Sequence, residues 1–155
     1  MSNSYLIAGG CVGFTGVALG AMGAHSLEDQ LTPASLAIWE TAAFYQLVHA
    51  PVLIAIGLFF VFTRRARRRK LSGRDVAQDR DGSKAAAAKA VFRQTRALRW
   101  AGIAMVLGVL LFSGSLYLLA LGGPSQLGPV TPVGGVAFLL GWLSLLYAGV
   151  VNTDG

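Results

Sequence analysis

The chain has 155 residues, of which 54% are hydrophobic and only 13% charged, with a mean hydropathy of +0.59. That balance excludes a soluble globular domain and fits a membrane protein. The single cysteine, Cys11, excludes an intrachain disulfide and a cysteine-rich metal site.

Four apolar segments reach the roughly 20 residues that about 30 Å of hydrocarbon requires. They predict spans at residues 5–24, 37–63, 100–121 and 132–151. The expected fold class is all-α: a polytopic membrane protein with four transmembrane helices in one compact bundle covering residues 1–155.

The first span carries "AGGC" at residues 8–11, a faint lipoprotein-like pattern. No basic region precedes it, so Cys11 reads as a small helix residue. Gly9, Gly13, Gly16, Gly20 and Gly23 are spaced 4, 3, 4 and 3 apart. They form a stripe on one helix face, which lets a neighbouring backbone approach closely. A packing role is expected for them, and not a pore lining. "SLED" (residues 26–29) predicts a capping box opening a short interfacial helix. Thr32-Pro33 and Thr131-Pro132 each predict a cap followed by a helix start.

The second span holds "WETAAFYQLVHA", residues 39–50. Ionisable and amide groups are costly in hydrocarbon, so Glu40, Gln46 and His49 should face other helices. Trp39 is expected as an interfacial anchor. His25, at the end of the first span, is expected to contact Glu40. Tyr45, Gln46 and His49 are expected to share a face. His49 should bond Ser113, Ser115 or Tyr117 of the third span, or a backbone carbonyl loosened by Pro51. These polar residues fit interhelical glue, and alternatively a proton relay or ligand site.

All 13 Lys and Arg lie between Arg64 and Arg99, with three acids, giving that connection +10 and the rest of the chain −4. The positive-inside rule then puts the connection and both termini on the cytoplasmic side, or on the matrix side in a mitochondrion. The run Arg64, Arg65, Arg67, Arg68, Arg69 and Lys70 reads first as a topology determinant that meets lipid headgroups. A nucleic-acid patch is the weaker reading, and no nucleic-acid partner is expected. Residues 83–100 are rich in helix formers and should extend the third span. "GVLLFSG" (108–114) resembles "GCVGFTG" (10–16), which suggests two repeated hairpins. "GGPSQLGP" (122–129) reads as a loop.

His25 and His49 differ in depth by over about 10 Å along a helix axis, so they cannot ligate one haem within a single copy. Two histidines also fall short of a three-ligand metal site. With no nucleophile–base pair and no phosphate loop, no cofactor and no enzyme activity are expected.

The blocks "GAMGAHSL" (20–27), "WETAAFYQLVHA" (39–50), "LFSGSLYLLAL" (111–121) and "TPVGGVAFLLGW" (131–142) resemble the signature blocks of domain-of-unknown-function family 423. A small mitochondrial membrane protein of animals is similar. The resemblance covers all four spans and implies a four-helix inner-membrane protein without an established activity. Gly23, His25, Glu40, Tyr45, Gln46, His49, Ser113, Gly114 and Tyr117 match its blocks, whereas the long basic connection departs from it. The expected role is a non-enzymatic accessory or structural subunit packed against a larger membrane complex, one of energy conversion being an option. The alternative is a small oligomeric transporter or channel using the Gln46–His49 face. Lipids, other membrane subunits or further copies of the chain are the expected partners.

Overall fold

The computed structural model describes the backbone of residues 2–72 and 82–153, and the side chains of residues 3–66 and 89–151. Helices make up most of these segments, with α1 at Ser2–His25, α2 at Pro33–Ser72 and α3 at Gly82–Gly108. A five-residue π-helical segment, Val109–Ser113, joins α3 to α4 at Gly114–Ala120, and α5 covers Val130–Thr153. Four helices are long and apolar enough to cross a membrane, the third being α3, the π segment and α4 taken together.

α1 packs along α2 and α3 along α5, while the π segment and α4 lie against α2. The end of the bundle holding residues 64–66 and 89–99 is the basic end. Tyr5 of α1 reaches it, donating its hydroxyl to the Arg99 carbonyl at 3.0 Å. The turns at residues 26–32 and 121–129 lie at the opposite, loop end.

The core sits on the inner faces of the second and third spans. Leu53, Met105, Val109 and Phe138 form its centre, and Ile56, Phe60 and Ala101 continue it toward the basic end. The outer faces stay apolar, with Phe14, Leu139 and Leu143 exposed. A helix hydrophobic all round is what a lipid solvent permits, because tails are as apolar as leucine.

The helix ends show which local signals hold. Thr32 caps α2 by accepting from the Ser35 amide at 3.2 Å, with Pro33 at the first helical position. Residues 26–29 form turns and no capping box. The Leu27 amide instead bonds the Met22 carbonyl at 3.0 Å, and the Leu27 side chain tucks against Trp39 and Ala120. α5 starts earlier than expected, at Val130, so Thr131 and Pro132 sit in its first turn. The lost Pro132 N–H has no helical acceptor there and costs nothing. α4 ends in a Schellman turn: Gly122 (φ 80°) donates to Leu119 and Gly123 to Leu118.

The glycines of α1 divide into two sets. A Cβ added at Gly9, Gly16 or Gly23 would come within 2.7–2.9 Å of Ile54, Leu47 and Trp39, all on α2. At Gly13 and Gly20 it would meet Ala50 and Ala43 at ordinary distances of 3.5 and 3.9 Å. The stripe therefore faces α2 of the same chain. Residues 10–16 are regular α-helix, whereas the similar stretch 108–114 contains the π segment. Gly16 abuts Leu47, but its counterpart Gly114 meets open space, so the two stretches differ in both backbone and surroundings.

Candidate functional site

Trp39 and Gln46 stand seven residues apart on α2, about two turns, and so point the same way. The Trp39 indole N–H donates to the Leu19 carbonyl at 2.8 Å. The Gln46 amide donates to the Val12 carbonyl at 3.0 Å and to the Thr15 hydroxyl at 2.7 Å. The acceptors on α1 are also seven residues apart, running the opposite way. Glycine at positions 16 and 23 brings the α1 backbone close enough for α2 side chains to reach it.

Gln46 also accepts from the Tyr117 hydroxyl at 3.0 Å, so one side chain joins α1, α2 and α4. Both amide hydrogens and the carbonyl oxygen are used, and the residue is 5% exposed. The Tyr117 ring meets Trp39 edge-on with centroids 4.6 Å apart. Thr15 completes the set by donating to the Cys11 carbonyl at 2.7 Å.

His49 belongs to a second group. Its Nδ1 donates to the Tyr45 carbonyl at 2.7 Å, which leaves Nε2 to accept from the Trp142 indole N–H at 3.3 Å. An indole nitrogen only donates, so this bond requires a lone pair on Nε2. The imidazole stacks on Phe138 with centroids 3.7 Å apart and is 3% exposed. It lies at the floor of an open groove of about 560 Å³ between α2 and α5, with Phe44, Tyr45, Phe112, Phe138 and Trp142 in its walls.

Several expectations need correction. His49 does not bond Ser113, Ser115 or Tyr117. The carbonyl it uses is Tyr45, whereas the one freed by Pro51 belongs to Leu47, four residues before the proline. Tyr45 and His49 do line one groove, but Gln46 faces α1 and Tyr117. Three residues are 300° of helix, so Gln46 and His49 diverge by about 60°. His25 and Glu40 are both exposed and share no ion pair or hydrogen bond. Trp39 is buried at 2% exposure and is no interfacial anchor. Its indole instead bonds the Leu19 carbonyl and packs against Leu27 and Ala120.

Ser115 donates to the Phe112 carbonyl at 3.0 Å and lies 2.7 Å from the Thr131 hydroxyl, tying α4 to α5. Ser113, 1% exposed, holds a hydroxyl without a hydrogen-bond partner at the last position of the π segment. Arg64 and Arg65 are exposed; the side chains of Arg67, Arg68, Arg69 and Lys70 lie outside the described residues. Among the described residues, no three His, Cys, Asp or Glu side chains gather as a metal site.

Sequence reasoning missed the π segment, the Trp39–Leu19 bond and the pairing of His49 with Trp142. The seven-residue step from Trp39 to Gln46, matching the step from Gly16 to Gly23, was available as a signal for the second. The π segment left no comparable mark.

Residues 19–77 and 82–135 match the family described as "Protein of unknown function (DUF423)". The matched stretches hold Trp39, Gln46, His49, Ser113 and Tyr117. A UPF0382 membrane protein of Staphylococcus epidermidis is 35% identical over 144 residues, covering 93% of each chain. The UPF0382 membrane protein YwdK of Bacillus subtilis is 34% identical over 146 residues, covering 94% of this chain and 95% of its own. A Haemophilus influenzae relative of the same name is 32% identical over 147 residues, covering 95% and 94%. No solved structure matches the chain. A match that takes in most of the polar network, with relatives of nearly equal extent named as membrane proteins, places this chain in the DUF423 family.

Proposed function

We propose that this protein is a non-enzymatic accessory subunit that packs sideways against a larger membrane complex in a bacterial inner membrane. Its basic end and both termini face the cytoplasm in this reading, by the positive-inside rule. The observation that carries it is where the polar membrane groups end. Gln46, Tyr117, His49 and Ser115 all bond within the chain, which leaves an outer wall that is mostly apolar and aromatic, with Glu40 exposed near its loop end. The turns at the loop end are too short to form a binding domain. Contact with a partner would then fall to the helix faces, and the groove over His49 offers a shaped apolar recess for a neighbouring side chain. The α1 glycine stripe adds nothing to this contact surface, because α2 fills it.

Gentle detergent extraction through a C-terminal tag, followed by mass analysis, tests the proposal. The expected result is a larger membrane complex in fixed stoichiometry. A lone monomer or homo-oligomer would overturn it.

One observation favours the alternative of a small oligomeric transporter or channel: the unpartnered Ser113 hydroxyl within a π segment, a backbone feature frequent at functional sites. Ser113→Ala separates the two readings. As a subunit the variant should assemble normally with stability unchanged or raised, since an unsatisfied buried hydroxyl is removed. As a transporter it should lose flux in proteoliposomes while remaining folded.

A further inference from the structure

A second groove, of about 620 Å³, opens between α3 and α5 at the basic end, and the polar network makes no use of it. Arg93, Arg96 and Trp100 line one wall, Leu143, Ser144 and Tyr147 the other, with Ala97 between them. We propose that this groove is a binding site for one anionic phospholipid, with its phosphate held by Arg93 and Arg96 and its glycerol and first acyl carbons lying along Trp100 and Leu143.

The geometry follows from helical spacing. Arg93, Arg96 and Trp100 stand at i, i+3 and i+7, so they share one face of α3. Seven residues rise about 10 Å, which puts the two guanidiniums at the outer end and the indole deeper. α5 runs the opposite way, so Tyr147 sits outward of Leu143 by about 6 Å. Charge thus gives way to amphipathic rings and then to aliphatic wall, the order a phospholipid presents from headgroup to tail. Tryptophan and tyrosine belong at that interfacial depth. Ala97, 8% exposed, supplies a floor without bulk. The volume falls within the roughly 300–1,000 Å³ usual for ligand sites.

Charge complementarity selects the occupant. Among the described residues the only carboxylates are Glu28, Asp29 and Glu40, all toward the loop end, and none pairs with Arg93 or Arg96. Both guanidiniums are exposed. Guanidinium suits phosphate because its planar fork donates two parallel hydrogen bonds. A phospholipid matches both ends of the groove in one molecule, its phosphate on the arginines and its acyl carbons on the lipid-facing Trp100 (58% exposed) and Leu143 (61% exposed), whereas a soluble anion matches only the first.

The test is native mass spectrometry of the full chain in mild detergent, titrated with phosphatidylglycerol, phosphatidylcholine or inorganic phosphate. Saturable binding of one phosphatidylglycerol is expected, with phosphatidylcholine and phosphate far weaker. R93Q/R96Q should weaken phosphatidylglycerol by roughly 30-fold, from about 1 kcal/mol per basic residue. R64Q/R65Q removes the same charge from the headgroup-facing run outside the groove and should weaken binding clearly less than R93Q/R96Q does. S144W fills the groove without altering charge and should abolish the site. Equal losses in the two double variants, undiminished binding to S144W, phosphate binding as tight as lipid, or no preference for phosphatidylglycerol would each overturn the proposal. Thermal unfolding in lipid-free detergent, matched to the parent protein, qualifies each variant for comparison.

Discussion

Gly134→Ala is expected to destabilise the protein by about 1–3 kcal/mol or more, although it adds a single methyl group. The new Cβ would fall on the main chain of the π segment, with the Phe112 amide nitrogen nearest and the Leu111 carbonyl carbon 2.8 Å away. A flexible side chain swings aside from such a contact; a backbone held in a helix does not. α5 must then move off the third span, taking with it Phe138, which stacks on His49 and packs in the central core. Gly10→Ala and Gly149→Ala are the controls, since a Cβ at either meets nothing within 4 Å. There alanine should be neutral or stabilising, by up to about 1 kcal/mol, through its better helix propensity. Thermal unfolding in detergent reads all three. If Gly134→Ala melts with the controls, α5 does not approach the π segment closely and the account of the core fails.

How much of this was legible in the sequence depends on what each signal measures. Span existence follows from apolar length, which lipid imposes directly, and four helices long and apolar enough to cross a membrane are present. The ends were less legible. Thr32-Pro33 reads correctly because cap and proline act locally. Thr131 fails because its hydroxyl serves Ser115 on another helix, a tertiary use that overrides the local pattern.

The polar site shows the same division. Composition was enough to say that Gln46 and His49 must face protein, because the cost of facing lipid is general. It could not say which helix each would face, since a 60° difference in direction separates α1 from α5. Nor could it anticipate that Trp39, placed by its type at the membrane surface, would instead be drawn inward by an acceptor on Leu19. Gly23 creates that opening, and the two residues are far apart in the chain. The glycine stripe was visible, but its partner was not: small-residue faces look alike whether they meet the next helix or another protein.

Gln46→Leu should cost about 2 kcal/mol, because it removes three interhelical hydrogen bonds of about 0.6 kcal/mol each in a membrane. The sum treats the bonds as independent, and Tyr117 tests that. Tyr117→Phe deletes one bond and keeps the ring against Trp39, so it should cost about 0.6 kcal/mol alone. Added to Gln46→Leu, it should cost nothing further and should recover whatever the stranded Tyr117 hydroxyl contributed to the loss. The double variant should therefore be no less stable than Gln46→Leu, and that coupling is the signature of the shared bond. Stability measured by thermal or detergent unfolding supplies all three values. Additive losses would mean that Gln46 and Tyr117 do not meet, removing the link between α1 and α4. Full coupling, with partner association lost only in step with stability, would mark the amide as the fastener of three helices and leave the outer faces to carry the function.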